Sequence, residues 1–391
     1  MAAPKIAIVG AGPAGLTLAR LLHRNGITAT VFEKEESADH RRSAGGSLDL
    51  HEESGQLAMK KAGLGEEFFK HARTEGDDMI VADRFGRVHV AIKDTPRGRP
   101  EIDRVVLRQI LLDSLPADMV RWKHRLVKVE EGRLHFEHGV ESGFDLIVGA
   151  DGAWSKVRPM MTHVPPFYSG ISGVELRLTD IDEKHADLSA LVGKGSCFMF
   201  GEEQRKVLLS QRQGDGSVRI YAVGHQRESW VQDCGIDFEN ADEARAALLR
   251  DFAAFSPEQR RLIECCDDAI TPRALYMLPV GIRWPNQPGF TLVGDAAHLM
   301  TPFAGAGVNM ALHDAMDLAE CIVASPADLP AATAAYEKMM FPRAERIQQK
   351  TWLSTLSRFA PGGLLEFKAR ILAFARFLAR YLPPSTRGIE Q

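Results

Sequence analysis

Three stretches of this chain carry residues whose types and spacing suit the grip of a phosphate-bearing, hydroxyl-rich ligand. The first is Gly10-Ala11-Gly12-Pro13-Ala14-Gly15, followed eighteen residues after its last glycine by Glu33 and then Lys34. In a strand-turn-helix unit Gly10 permits the tight turn, Gly12 lets backbone approach a pyrophosphate, and Gly15 lets the helix lie close to the strand. The helix start then offers free N–H groups and the positive end of a dipole to the phosphates. Glu33 can accept hydrogen bonds from a ribose 2′-hydroxyl and would repel a 2′-phosphate, so the dinucleotide expected here lacks one. This motif by itself fits FAD and NAD equally.

The second stretch runs from Asp145 to Arg158, where an apolar strand enters the turn Asp151-Gly152 and Ser155 and Arg158 follow as a helix begins. Asp151 stands where a carboxylate takes ribose hydroxyls, and Arg158 either anchors the turn or neutralises a pyrophosphate. The third stretch, Phe290 to His298, is a buried strand ending in Gly294-Asp295, followed by Thr301 to Asn309. Asp295 is suited to ribityl or ribose hydroxyls, while Gly305 and Gly307 set bare N–H groups of a helix start against something electron-rich. Adjacent Gly45 and Gly46, ahead of Ser47, Leu48 and Asp49, read either as backbone lying along a flat ligand or as a plain turn into a strand. Arg104 opens a helix where its charge opposes the dipole. Either another anion or acceptor holds it, or it is simply exposed.

The elements that must position these residues follow from periodicity. Lys5 to Val9 and Thr28 to Phe32 read as strands around a helix from Leu16 to Leu22 that stops at Asn25-Gly26. Glu53 to Ala62 has helical spacing and stops at Gly63, and Met79 to Val90 reads as a hairpin turning at Arg84-Phe85-Gly86. Asp103 suits an N-cap for a helix from Val105 to Leu115; Met119 to Val129 and Arg133 to His138 read as short strands. From Phe167 to Leu278 the pattern alternates, as in Gly173 to Leu178, Cys197 to Phe200, Lys206 to Gln211 and Ser217 to Gly224, with one helix from Ala241 to Phe255. Such alternation means an antiparallel sheet with one buried face, expected to lie over the first domain and wall a cavity there. A helix from Met310 to Val323 follows the third stretch. The tail, Thr351 to Leu382, is helical with a break at Pro361-Gly362-Gly363 and an apolar set that includes Leu356, Phe359, Leu364, Phe374, Leu378 and Leu382. Its interleaved Lys368, Arg370, Arg376 and Arg380 would also suit a membrane surface, but packing across the two domains is the role expected of it.

A length of 391 residues exceeds one ordinary core. The expected division is α/β: a Rossmann-like domain from 1–76, 101–166 and 285–345, an antiparallel domain from 77–100 and 167–284, and a C-terminal helical segment over 346–391. Apolar residues at 45% and charged residues at 26% are ordinary for a globular protein, and a net charge of −4 argues against nucleic acid as the main partner. Five cysteines without CxxC spacing argue against a disulfide framework or a zinc site and fit a reducing cytoplasm. The start of the chain has no room for a signal peptide before the first strand, and no apolar run is long enough to span a membrane.

As a set, Gly10 to Gly15 with Glu33, Asp151 to Arg158, and Gly294 to Pro302 resemble the class A flavoprotein monooxygenases, with the fold of para-hydroxybenzoate hydroxylase. A closer likeness, to the tetracycline-inactivating monooxygenases, lies in Gly45 to His51, Ala58 to Leu64, and Gly294 to Met300 with Pro302 to Gly305. The resemblance implies FAD contacts from Gly10, Gly12, Pro13, Ala14, Gly15, Glu33, Lys34, Gly46, Ser47, Asp49, Arg104, Leu107, Asp151, Gly294, Asp295 and Pro302, and from Gly305, Ala306, Gly307, Val308 and Asn309. Arg104 matches an arginine near the flavin ring, and the loop Pro302 to Asn309 lies over the isoalloxazine. Pro302, Phe303 and Gly305 are implied to touch substrate. The family's glutamine and histidine substrate contacts align with Glu175 and Arg219, and a third, an arginine, with Arg205 or Lys206. A carboxylate and a guanidinium demand different partners from an amide and an imidazole, which puts tetracycline itself in doubt.

The implied reaction uses FAD, transient NAD(P)H and O2, forms a flavin C4a-hydroperoxide, and hydroxylates an aromatic or polyketide-like small molecule. The protein's part is to position, desolvate and stabilise charge, and the helix start at Gly305 to Asn309 can stabilise reduced flavin near N1 and O2. No residue stands out as a catalytic base, no metal is implied, and no second GxGxxG serves the nicotinamide, which visits these enzymes without a dedicated fold. A monomer is expected. Two rivals are a flavin oxidoreductase of this fold without oxygen transfer, such as a geranylgeranyl reductase-like enzyme, and a non-catalytic protein that sequesters a planar ligand.

Overall fold

The computed structural model describes residues 4–38, 45–74, 78–93, 98–379 and 389–390, with side chains as far as Leu372. The side chains of Phe374, Arg376 and Leu378, and the residues Arg380 and Leu382, to which the sequence assigned helix faces, lie outside what is described. The chain divides into two compact units, Met1–Ala72 with Ile102–Phe167 and Tyr276–Trp352, and Arg73–Glu101 with Tyr168–Leu275 and Leu353–Gln391.

The first unit is built on a parallel sheet in the order Phe290–Leu292, Leu146–Gly149, Ile6–Val9, Ala29–Phe32, Val120–Arg121. Ile6 pairs with both Leu146 and Ala29, and all four residues of Ile6–Val9 are buried. A strand covered on both faces has no use for alternation, which is why these segments read as unbroken apolar runs. The helix Pro13–Arg24 begins with proline at its first turn, where the missing N–H costs nothing. It lies so close to the first strand that a Cβ on Gly15 would overlap the carbonyl oxygen of Gly10. Against it packs the helix Gly307–Ala324. The segment 119–129 divides: Val120–Arg121 joins the parallel sheet, whereas Leu126–Glu130 pairs antiparallel with Arg133–Phe136, which pairs in turn with Gly139–Glu141.

The second unit carries an eight-stranded sheet in the order Thr271–Met277, Phe167–Leu178, Val218–His225, Lys206–Arg212, Ser196–Gly201, Met79–Asp83, Val88–Ile92, Ile389–Glu390. It is antiparallel except between Ser196–Gly201 and Met79–Asp83, which run parallel. One face, with Val174, Leu176, Met199, Leu208, Ile220 and Ala222, is buried in this unit's core. The single helix expected there is five: Ile181–Lys184, Ala186–Val192, Trp230–Asp233, Ala241–Asp251 and Pro257–Glu264. The expected helix Ala241 to Phe255 stops at Asp251, and a new one starts at Pro257 with the Ser256 hydroxyl accepting from the N–H of Gln259. The helix Leu329–Arg358 contains Pro342 without ending there and runs through the 345/346 limit drawn from the sequence. The break at 361–363 separates it from Gly363–Ala379. Among the described residues no helix is long and apolar enough to cross a membrane.

Candidate functional site

Because Ile6–Val9, Leu146–Gly149, Phe290–Leu292 and Ala29–Phe32 run parallel and adjacent, the turns that follow them leave the same sheet edge. Ligands of open α/β sheets bind at that edge. The glycine turn, Glu33, Asp151 and Asp295 therefore share one side of the first unit, although long stretches of chain separate them. Contact is direct: Gly10, at φ +110°, is so tight against the chain before Asp151 that a Cβ would overlap the Ala150 carbonyl, and Gly294 faces Ala14.

The buried Glu33 takes the N–H of Ala11 at 2.6 Å on Oε2 and that of Glu35 at 3.2 Å on Oε1, so it also fastens the glycine turn. Asp151 accepts from the N–H of Lys156 at 2.7 Å and so closes its own turn. Burial pushes its carboxyl above the usual range, although hydrogen bonds from Ser155 and Lys156 oppose the shift. Of the two roles open to Arg158, the structure shows anchoring: its guanidinium donates to the carbonyls of Ala296 at 2.7 Å, Ala153 at 2.8 Å and Asp295 at 3.0 Å. It ties the Asp151 turn to the Asp295 turn. Asp295 itself is exposed between buried Gly294 and Ala296.

Asn309 joins the third stretch to the Gly45–His51 segment. Its Nδ2 donates to the Asp49 carbonyl at 2.8 Å, and its Oδ1 accepts the N–H of His51 at 2.8 Å. The side chain expected at the cofactor is thus engaged with backbone; Gly55 permits this, since a Cβ there would stand 2.6 Å from that oxygen. Asp103 sits at the N-cap of Arg104–Asp113 without capping it, and accepts instead from the Ser47 hydroxyl at 2.7 Å. Arg104 is exposed and lies across Gly45, whose Cβ would meet its Cδ at 2.6 Å. Lys34, Pro302 and Gly305 are exposed as well. Leu107, also expected at the cofactor, is 0% exposed because its helix turns that face into the core, and Phe303, expected at the substrate, is buried on the short turn Pro302–Ala304.

In the second unit, register places Glu175 opposite Tyr221 and Arg177 opposite Arg219 on the sheet face away from the core. Glu175 forms an ion pair with Arg219 and accepts from Arg273 at 3.0 Å. Arg205 does not join them. It occupies a tight turn at φ +52°, next to His225, and its Nε donates to the Phe359 carbonyl at 3.0 Å. His225 lies six residues along the strand from Arg219, or about 20 Å at strand rise. Lys206 is held by the Asp251 carbonyl at 2.7 Å.

A family model described as an FAD binding domain matches residues 4–351. The chain is 32% identical to the monooxygenase asqM of Emericella nidulans, over 91% of this chain and 96% of that one. It is equally 32% identical to the monooxygenase penA of Penicillium thymicola, over 92% and 96%. The chain belongs to the class A flavin monooxygenases. Kynurenine 3-monooxygenase of Stenotrophomonas maltophilia is 27% identical over 98% of this chain and 87% of its own. Among solved structures, Klebsiella pneumoniae HpxO complexed with FAD and uric acid superposes with a TM-score of 0.76 at 22% identity, covering 94% and 92%. Tetracycline destructase Tet(51) superposes with a TM-score of 0.70 at 20% identity, covering 98% and 100%. These two likenesses speak for the fold.

FAD is the cofactor of this monooxygenase, and the residues present fit it. Nothing lies within 4 Å of where a Cβ would stand on Gly12 or Gly307, so backbone at both helix starts is open to a ligand. Asp151 Oδ1 is buried without a partner among the described residues, an acceptor suited to a hydroxyl. The helix Gly307–Ala324 has no side-chain cap, leaving its first N–H groups to a ligand or water. Bound FAD supplies the electron transfer from NAD(P)H to O2 that this family uses for oxygen insertion.

The sequence reading missed Arg108. Buried on the helix Arg104–Asp113, it donates to the Ala11 carbonyl at 3.1 Å and to Glu35 at 2.9 Å, bracing the glycine turn from behind. It stands one residue after Leu107, and only the helix's rotation showed which of the two faces the turn.

Proposed function

We propose that this monooxygenase places one oxygen atom on a flat aromatic or polyketide-like compound whose polar substituent meets Glu175 and Arg219. The supporting observation is the outward sheet face of the second unit, where the Glu175, Arg219 and Arg273 charges adjoin Tyr221 and Leu209 on one surface. Aromatic and aliphatic groups suit a planar ring, and paired charges suit a substituent that both accepts and donates. A relative named for kynurenine, a structural neighbour named for tetracycline and another complexed with uric acid are in keeping with ring substrates. In this reading Asp295, Asp151 and Glu33 hold cofactor hydroxyls, the helix starts at Gly12 and Gly307 take its phosphate and electron-rich groups, and Arg104 reaches its ring. The enzyme works as a cytoplasmic monomer.

The test is a panel of phenols, anthraquinones and tetracyclines, scored for substrate-stimulated NADPH and NADH oxidation and for product mass. One ring compound gaining a single oxygen is the expected outcome. A product gaining two hydrogens instead, or tight binding without turnover across the panel, would overturn the proposal in favour of a reductase or a sequestering protein. Sedimentation at micromolar concentration checks the monomer.

A further inference from the structure

Asp314 lies on the helix Gly307–Ala324 and is fully buried. Three donors from two parts of the first unit converge on its carboxylate. Oδ2 accepts the backbone N–H of Gly294 at 2.9 Å and Nε2 of His298, and Oδ1 accepts Nη2 of Arg343 at 3.0 Å. Arg343, on Leu329–Arg358, also donates to Asp317, one turn further along the Asp314 helix, at 2.5 Å. The guanidinium thus clamps the helix from outside while Asp314 reaches the turn.

Gly294 has φ +61°, and a Cβ on it would stand 3.2 Å from Ala311 and 3.4 Å from Ala14. It is wedged between the first turns of the two helices that begin at Pro13 and Gly307. Its carbonyl accepts the N–H groups of Ala297 at 2.8 Å and His298 at 3.0 Å, so the short helix Asp295–His298 hangs from this one residue. The exposed Asp295 is the next residue along. Burying a carboxylate with an arginine and a histidine is costly, and apolar side chains of similar volume would pack as well. What apolar residues could not do is hold the N–H of a left-handed turn and fix it to the helix behind.

We propose that Asp314 is a positioning residue for FAD: it sets the Asp295 turn against the N-terminus of Gly307–Ala324, so that the two meet the cofactor in one geometry. This rests on the reading of those two elements as flavin contacts. Asp314 touches no ligand itself and acts through the Gly294 N–H.

The experiment titrates FAD into flavin-free wild type, Asp314→Asn and Arg343→Gln, following flavin fluorescence quenching and the visible circular dichroism of the bound flavin. Far-ultraviolet circular dichroism checks the fold of each. Asp314→Asn keeps an acceptor for Gly294 and loses the charge; its FAD Kd should rise about tenfold or more, with an altered visible dichroic band. Arg343→Gln frees Asp314 Oδ1 from its clamp, so the carboxylate, and with it the Gly294 N–H, is held less firmly and Kd should rise roughly threefold. Wild-type affinity and band shape in a folded Asp314→Asn would overturn the proposal while leaving the flavin site standing. Should that variant not fold, wild-type behaviour of Arg343→Gln overturns it equally. Wild type that takes up no flavin would instead sink the flavin reading underneath.

Discussion

The two compact units place their working groups by different means. In the first, the groups proposed for the cofactor are largely backbone N–H groups at helix starts and short acids in the turns just past strand ends. The sheet delivers them together because parallel neighbours all finish at one edge. In the second, the candidate groups are long side chains in mid-strand, and their partners depend on cross-strand register: Glu175 finds Arg219 only because Arg177 sits opposite Arg219. Backbone-borne function is tied to glycine positions, whereas side-chain-borne function is tied to alignment between strands. The first is hard to alter without losing the fold wherever its glycine is packed against neighbouring backbone, as Gly10 is. The second can be retuned one residue at a time.

The sharpest break of that contrast is a pair of glycine changes. Gly10→Ala forces a side chain onto φ +110° and into the Ala150 carbonyl, so it should destabilise the protein by roughly 3 kcal/mol or more, read by chemical denaturation. Gly12→Ala has open space, so melting should scarcely move while FAD affinity falls about a hundredfold. Equal melting temperatures for the two variants would contradict the geometry. Asp295→Ala, at an exposed position, should likewise yield folded protein depleted of flavin, and full flavin content would remove the role given to that carboxylate.

In the second unit, Glu175→Gln strips Arg219 and Arg273 of their carboxylate. Substrate KM and choice should change while flavin content holds, with a stability loss of about 1–3 kcal/mol. Loss of flavin from this variant would erase the distinction between the units.

A smaller effect concerns pH. Burial opposes the charge on His298, but the Asp314 carboxylate more than offsets it and raises the imidazole above 6.5. That stabilisation is complete below pH 6.5 and is lost as pH rises through the higher folded value. Burial likewise works against the Asp314 carboxylate, yet His298 and Arg343 hold it below 3.8, so its stabilisation is present above that pH and is lost on acidification through the lower folded value. Melting temperature should plateau between these limits and decline on the alkaline side, and His298→Gln should flatten the alkaline decline. The smallest effect is expected from Arg205→Ala, which frees the Phe359 carbonyl at a cost of about 1 kcal/mol with substrate choice unchanged. An altered substrate profile would bring Arg205 back among the substrate contacts.

The amino-acid sequence by itself determined the strand-turn-helix units, because glycine spacing and apolar runs act over a few residues and need no distant partner. It likewise marked Asp151 and Asp295, each within three residues of a strand end. Tertiary structure decided what each group does once in place. Arg158 proved to be a brace because four carbonyls surround it. Leu107 turned into the core while Arg108 reached the glycine turn, since helix rotation is set by packing rather than by residue type. The Asp314, His298 and Arg343 cluster joins residues 294 to 343 through bonds that form only when two helices and a turn have already met. Nothing in local spacing encodes such a meeting, because the free energy that favours it is spread over the whole buried core.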